Sequence, residues 1–186
     1  GNLSGTVYEV SYSITISGLT VVSGSEQVSG SGNMRMGTVS TGLNRSVTTI
    51  SLDDFQVVGN YGGLNVNRGL SGFRFVDEHT PAGSSYNSAV SVSGTLASSA
   101  LGDQSVSFVT VQPFVRAGNA LYPASGSATI TGANNSQARI TVQSGSAVLL
   151  ELDANGDGRF EATTLNDLHP MCIQLLGVCV DKNVLC

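Results

Sequence analysis

The stretch GSATITGANNSQARITVQSGSAVLLELDANGDGRFEATTL, residues 126–165, decides the fold class of this chain. Three polar breaks, at 133–136, 144–145 and 153–158, divide it into four short runs in which apolar and polar side chains alternate. Alternation at every second residue places one set of side chains on each face of a β-strand, and the Asn, Asp, Ser and Gly residues of the breaks are those of tight turns. The stretch therefore predicts a four-stranded β-meander.

The residues before this stretch repeat the same alternation. Residues 6–17 carry large apolar side chains on one face and mostly polar ones on the other, which predicts a strand with one buried and one wetted face. The apolar set is Tyr8, Val10, Tyr12, Ile14 and Ile16. Further strand-like runs span residues 19–22, 33–40, 45–52, 55–58, 73–76, 89–96 and 105–111. No helical periodicity precedes Asp167, so we expect an all-β fold, an antiparallel meander that forms a strongly curved sheet, a barrel or a sandwich.

Glycine, proline and acidic pairs predict the breaks between these runs. Residues 59–72 hold five glycines and three asparagines, which favour a loop or an irregular hairpin over a core strand. The acidic pair at 53–54 predicts a turn. Residues 77–81 end in a proline, which predicts a strand end there and a surface loop over 82–88. The segment 113–123 has a proline at each end and is expected to cross irregularly between sheet regions.

A chain of 186 residues is long enough for one β-rich domain, which we place at residues 1–168. Residues 169–186 differ in character, because they are apolar and hold every cysteine, and they predict a short irregular or helical tail. Cys172, Cys179 and Cys186 are seven residues apart. In a helix that spacing is a rise of roughly 10 Å, too long for a disulfide. Three interpretations of the cysteines therefore remain: one disulfide, buried free thiols, or a metal site with His169. The spacing of seven does not match the short spacing of zinc knuckles.

Composition excludes some partners. The net charge is −5 and the arginines are scattered, so no basic stripe for nucleic acid is expected. No apolar run approaches the roughly 18 residues of a membrane span. The chain begins at Gly1 without a signal peptide, which was removed, cut away or never present. The single lysine, together with abundant Ser, Thr, Gly and Asn, favours an extracytoplasmic location.

The acidic break at 153–161 predicts a calcium site. Oxygen ligands at loop positions one, three, five, seven and nine suit Ca²⁺, which prefers six to eight oxygens. They are Asp153, Asn155, Asp157, the backbone carbonyl of Arg159, and Glu161. Position twelve is Thr164 and the flanks alternate as strands do, so the loop is not an EF-hand. The alternative is an ordinary hairpin turn, since Asn-Gly and Asp-Gly are common turn residues.

No catalytic constellation is predicted. His79 lies beside Asp77 and Glu78, but no nucleophile-elbow motif places a serine for it. Three tyrosines expected in loops, Tyr61, Tyr86 and Tyr122, are candidates for stacking on sugar rings, although isolated surface tyrosines are common. We therefore assign no catalytic residue from the sequence.

Residues 122–168, YPASGSATITGANNSQARITVQSGSAVLLELDANGDGRFEATTLNDL, resemble the C-terminal part of uncharacterised secreted or lipoprotein-like β-meander domains of proteobacteria. The resemblance implies export and an antiparallel meander, and it carries no established activity. The cysteine-containing tail departs from the family pattern, which is expected to end near Leu168.

These observations lead to two expectations for function. The first is a non-enzymatic exported domain of the bacterial envelope, structural or ligand-binding, with its site on the sheet or in the segments 59–72 and 79–88. The second is a surface adhesin or carbohydrate-binding module with a calcium-stabilised hairpin loop. A hydrolase assembled from dispersed residues is a third class. The partners expected are a small hydrophobic ligand, a glycan or an envelope protein.

Overall fold

The computed structural model describes residues 7–42, 45–61, 64–102, 104–118, 120–143 and 145–167. They form ten strands: β1 (Val7–Ser23), β2 (Glu26–Thr41), β3 (Arg45–Tyr61), β4 (Leu64–Ala82), β5 (Ser85–Ser98), β6 (Gln104–Ala117), β7 (Ser125–Thr131), β8 (Gln137–Val142), β9 (Ala147–Asp153) and β10 (Ala162–Asp167). Two short 3₁₀ turns, Ser99–Leu101 and Ala133–Asn135, complete the secondary structure of these residues. The predicted tail with its cysteines lies outside them. A search of the same residues finds no helix of the length and apolarity needed to cross a membrane.

The ten strands form one antiparallel sheet in the order of the sequence. Each strand pairs with the next, and β1 and β10 are the two edges of the sheet within the described residues. Extensive contacts join only strands that are neighbours in sequence, together with those of the two 3₁₀ turns. The predicted all-β antiparallel meander is confirmed. It is a single open layer, so the sandwich and the closed sheet are not what these residues form.

The Gly- and Asn-rich residues 59–72, predicted to be a loop or an irregular hairpin, belong where the structure describes them to the hairpin of β3 and β4. Gly59 pairs with Val66, and pairing extends from Tyr61–Leu64 to Phe55–Leu70. Ladder hydrogen bonds use the backbone alone, so a Gly-rich segment can pair where neighbouring strands hold it. Of the two predicted alternatives, the hairpin is confirmed and the loop is wrong, because Gly and Asn content does not show whether a segment pairs with its neighbours.

The loop predicted at residues 82–88 was also wrong. β4 continues through Pro81 to Ala82, and β5 begins at Ser85, which leaves a tight turn between them. Pro81 pairs with Tyr86 next to that turn, near the end of the ladder, where the missing proline N–H disrupts the fewest ladder hydrogen bonds. In the same way β6 runs to Ala117 across the segment predicted to be irregular, and Pro113 falls where the β5–β6 register shifts.

A line of β-bulges crosses the first six strands. The pairing register shifts between Ile16 and Leu19 in β1, between Ser71 and Arg74 in β4, and at matching positions of the other strands. Asp54, with a φ of 51°, lies on this line, so residues 53–54 form a bulge inside β3 and not the predicted turn. Bulges bend a strand and increase its twist. The long strands therefore change direction along a shared line.

One face of the sheet is less exposed than the other, although no second layer covers it. In β6, Val106 and Phe108 are half-buried while Val109 and Val111 are exposed. We name the first side the shielded face, and it carries Phe55, Arg68, Leu70, Phe73, Leu96, Val106, Phe108 and Ile130. Its cover comes partly from aromatic rings over glycines: a Cβ on Gly32 would lie 2.8 Å from the ring atom Cδ2 of Phe55, and Phe73 and Phe108 flank Gly94. Three apolar residues among those described are buried: Leu70, Val142 and Val148.

The buried face predicted for β1 is not formed. Tyr8, Val10, Tyr12 and Ile14 are 57, 49, 63 and 47% exposed. β1 is an edge strand, so each of these side chains has a neighbouring strand on one side only. Tyr8 and Val10 also lie opposite the small Ser40 and Thr38 of β2. The alternation identified the strand correctly, but burial depends on position in the sheet, which alternation does not report.

The opposite face, which we name the open face, carries ion pairs between strands. Arg45 donates two hydrogen bonds to Glu78, of 2.6 and 2.7 Å. The hydrogen bonds from Arg45 lower the pKa of the Glu78 carboxyl and raise that of the guanidinium. A weaker pair joins Arg35 and Asp53 at 3.6 Å. Such exposed pairs contribute little to stability, so they fix register more than they hold the sheet together.

Candidate functional site

The acidic loop between β9 and β10 closes around one buried carboxylate. Asp153, the last residue of β9, is 1% exposed. Its Oδ1 accepts the N–H of Gly156 at 2.7 Å, and its Oδ2 accepts the N–H of Gly158 at 2.9 Å. Charge-assisted bonds of this kind are about twice as strong as neutral ones. Asp153 therefore fixes the backbone conformation of the loop that follows β9.

The other polar side chains of the loop also bind its backbone. Asn155 Oδ1 accepts the N–H of Asp157 at 2.9 Å, and Asp157 Oδ1 accepts the N–H of Arg159 at 2.8 Å. Glu161 Oε2 accepts the N–H of Ala154 at 2.9 Å, which joins the two ends of the loop. These short-range bonds are the ones that Asn and Asp form in turns. The turn chemistry predicted for this segment is present.

Three of the five predicted ligands come together. Carboxylate oxygens of Asp153, Asp157 and Glu161 lie within 4.8 Å of one another, the first buried and the other two exposed. Asn155 lies in the same loop, but its side-chain oxygen is turned toward the N–H of Asp157. Like charges this close repel, and a hard cation between them would relieve the repulsion. This cluster can hold a metal ion.

The acidic loop rests on the turn between β7 and β8. A Cβ on Gly156, whose φ is +76°, would overlap the carbonyl oxygen of Asn134 and lie 3.0 Å from the carbonyl carbon of Asn135. Asn134 and Asn135 themselves have φ of 54° and 61°, values that Asn tolerates better than most residues. Two polar breaks 20 residues apart in the sequence are therefore in direct contact, which sequence reasoning did not predict.

Below the loop, β8 and β9 are joined by a bidentate ion pair. Arg139 donates to Glu151 through Nε at 2.7 Å and Nη2 at 2.9 Å. These hydrogen bonds lower the pKa of the Glu151 carboxyl. The Arg139 guanidinium also lies 4.3 Å from the centre of the Phe160 ring, a cation–π contact. Phe160, two residues after Gly158, is thus anchored to the sheet.

A second polar cluster surrounds Asp77 on β4. Its Oδ1 accepts the hydroxyl of Ser88 at 2.8 Å, and its Oδ2 lies 2.9 Å from His79 Nε2. The carboxylate is between the other two groups, so the Ser88 hydroxyl donates to Asp77 and not to the imidazole. Activation of a serine needs the imidazole as the acceptor of that proton. The predicted neighbour Glu78 is on the open face with Arg45.

The tyrosine candidates are placed differently from the prediction. Tyr86 lies in β5, 60% exposed, with its ring centre 6.3 Å from that of His79. Tyr61 is the last residue of β3, and Tyr122 lies between β6 and β7 as expected for a loop residue. Tyr61 pairs with Leu64 at the start of β4 and Tyr86 pairs with Pro81 near its end, so these two residues are positioned at opposite ends of that strand.

A shallow cavity of about 290 Å³ opens on the shielded face, between β4 and β7. It is lined by Arg68, Leu96, Ser98, Ala100, Leu101, Val106, Phe108 and Ile130. Only Arg68 and Ser98 are polar, and they are direct cross-strand partners. The sequence placed a candidate site in residues 59–72, which include Arg68, but it did not predict the neighbouring strands that form the other walls of the cavity. The signal was present, since Val66, Arg68 and Leu70 alternate with Asn65, Asn67 and Gly69.

Comparison with protein-family models, curated proteins and solved structures finds no match to this chain. The acidic loop and the cavity at Arg68 are therefore the features that bear on function.

Proposed function

We propose that the chain is a non-enzymatic binding domain that takes small apolar ligands on the shielded face of its sheet. The observation that supports this most is the cavity at Arg68, which is lined mainly by aliphatic and aromatic side chains. It belongs to an apolar row that continues across neighbouring strands, for example from Phe73 to Phe108, whose ring centres are 6.4 Å apart. Ligand sites are typically concave, mostly apolar and marked by a few polar groups. The cluster of Asp77, His79 and Ser88 does not favour a serine hydrolase at that position, since the Ser88 hydroxyl donates to a carboxylate and not to the imidazole.

Binding of 1-octanol, followed by isothermal titration calorimetry, tests this proposal. Val106→Asn places an amide in the cavity wall, and we expect it to weaken 1-octanol binding by about fivefold or more, because a buried polar group costs free energy where no partner is available. Val109→Asn is the matched control, since it makes the same change three residues away in β6 on the open face, where Val109 is 50% exposed. Equal effects of the two variants, or no binding by the unmodified chain, would contradict the proposal.

Export to the bacterial envelope is part of the same proposal. It is supported by the single lysine, the richness in Ser, Thr, Gly and Asn, and the resemblance of residues 122–168 to secreted β-meander domains. Fractionation of the producing bacterium tests it: the chain is expected with the periplasm, the outer membrane or the medium. Recovery in the cytosol alone would refute this part.

We propose that Ca²⁺ is the ion suited to the cluster of Asp153, Asp157 and Glu161. Its oxygen donors and the loop spacing support a hard cation. Added Ca²⁺ is expected to raise the melting temperature, since an ion that binds only the folded state stabilises it by mass action. The double variant Asp157→Asn/Glu161→Gln keeps the side-chain shapes and is expected to abolish the shift.

The control for the calcium experiment is Asp53→Asn, which removes an exposed carboxylate from a distant strand and leaves the shift intact. A melting temperature independent of Ca²⁺ in the unmodified chain would show that the loop is an ordinary turn. A calcium-stabilised hairpin would also serve a surface adhesin or carbohydrate-binding module. Glycan binding that requires Ca²⁺ would favour that second function over apolar-ligand binding.

A further inference from the structure

We propose that the cavity at Arg68 selects an amphiphilic monoanion, a medium-chain carboxylate whose charge lies at the Arg68 guanidinium and whose hydrocarbon chain fills the apolar part. This inference rests on the proposed binding function and specifies the ligand class of the same site.

The charge of Arg68 is the first argument. The residue is half-buried on the shielded face, between Val57 of β3 and Ser98 of β5. No carboxylate of the residues that the structure describes forms an ion pair with it, whereas Arg35, Arg45 and Arg139 each have one. Arg74, Arg116 and Arg159 also have no ion pair, but they are exposed, so Arg68 is the half-buried arginine without an anion among the described residues. None of the cavity residues is acidic. A partly desolvated guanidinium without an anion is the group in this cavity that gains most from a negatively charged ligand.

The number and shape of the polar groups define the anion. A guanidinium presents parallel N–H groups that match the two oxygens of a carboxylate. Ser98, which is 7% exposed, accepts the N–H of Ala100 at 3.2 Å through its hydroxyl oxygen. Its hydroxyl hydrogen is therefore available to donate to the same carboxylate. One cation with one hydroxyl donor fits a single negative charge, and a phosphate dianion would remain half neutralised.

The remaining walls define the rest of the ligand. Leu96, Val106, Phe108 and Ile130 belong to three adjacent strands, and the 3₁₀ turn adds Ala100 and Leu101 at the rim. A cavity of about 290 Å³ is at the small end of the range for ligand sites. It suits an unbranched chain of about eight carbons better than a sterol or a long lipid. Each methylene that enters the cavity is expected to strengthen binding about fourfold, until the cavity is full.

The experiment compares octanoate with 1-octanol, which has the same chain and no charge, by calorimetry on the full chain at pH 7.5. The unmodified chain is expected to bind octanoate about tenfold or more tightly than 1-octanol, and added salt is expected to reduce the difference. Arg68→Met keeps an unbranched side chain that can pack in place of the arginine methylenes and removes the guanidinium with its charge, so it is expected to eliminate the preference for octanoate while 1-octanol still binds.

Arg74→Met is the matched control, because Arg74 lies on the same strand but on the opposite face, between Ser51 and Ser93. It is expected to leave both affinities unchanged. Arg68→Lys keeps the charge without the paired N–H groups and is expected to retain part of the preference, which keeps the test valid if Arg68→Met does not fold.

Equal affinities for octanoate and 1-octanol in the unmodified chain would overturn the choice of an anion and leave the binding function in place. A preference that survives in Arg68→Met would overturn the role of Arg68. Binding of neither probe would overturn both this inference and the proposed function.

Discussion

Replacement of Gly156 by alanine is expected to destabilise the C-terminal hairpins by about 3 kcal/mol or more. Two costs add at this position. A residue with a Cβ at a φ of +76° is strained, by about 1–3 kcal/mol. The new methyl group would also overlap the carbonyl oxygen of Asn134, so the acidic loop and the β7–β8 turn would have to separate. Chemical denaturation and amide hydrogen exchange across β7–β10 measure the loss.

The same loop provides the control for this substitution. Gly158 also has a positive φ, of +86°, but a Cβ there would meet no atom within 4 Å. Gly158→Ala should therefore show the strain alone, about 1 kcal/mol. If the two alanine variants lose the same stability, the contact between the loop and the turn does not contribute to the fold.

Asp153→Ala is expected to cost about 2–4 kcal/mol. The substitution removes the acceptor of two backbone N–H groups, those of Gly156 and Gly158, at a position that is 1% exposed. A buried donor left without a partner costs about 1–3 kcal/mol, more than the net value of a hydrogen bond. Denaturation without Ca²⁺ isolates this effect from any contribution of an ion.

Asp157→Ala is the comparison for that result. Asp157 also accepts a backbone N–H, that of Arg159 at 2.8 Å, but it is exposed, so water can replace the lost acceptor. We expect a loss below about 1 kcal/mol. Similar losses of unfolding free energy for the two aspartates would indicate that burial does not determine how much the hydrogen bonds of Asp153 stabilise the fold.

Residues 126–165 were predicted well because their signals are local. The breaks at 133–136 and 144–145 lie between strands as expected, the break at 153–158 begins at the last residue of β9, and β7, β8, β9 and β10 occupy the four alternating runs. Turn chemistry and period-two alternation each act over a few residues. Strands and turns of this kind can therefore be predicted without knowledge of which strands pair.

The first six strands were predicted less completely because several interruptions of their alternating pattern are bulges inside a strand and not turns between strands. The bulges at Gly18 and Asp54 carry the same residues and the same positive φ as turns, yet the strand continues past them. Whether a glycine ends a strand or bends it depends on the strand beside it. The exposure of Tyr12 has the same origin, since edge position in a sheet is a property of the whole fold.

The same difference between local signals and contacts of distant segments separates the candidate sites. The clustering of Asp153, Asp157 and Glu161 followed from spacing within nine residues. The cavity at Arg68 needed four strands to be placed side by side in register, and spacing within one segment cannot supply that. The contact of Gly156 with Asn134 likewise joins two separate turns.

The arrangement of the sheet, in which each strand touches mainly its neighbours in sequence, also determines how the chain gains and loses structure. Stability in such an array is close to a sum over successive hairpins with nearest-neighbour coupling, as in repeat proteins. Folding can then proceed by adding one hairpin at a time to any nucleus, without a long loop that must close first. Gradual opening from β1 or β10 inward, with the slowest amide exchange in the middle strands, is the expected signature of this one-dimensional cooperativity.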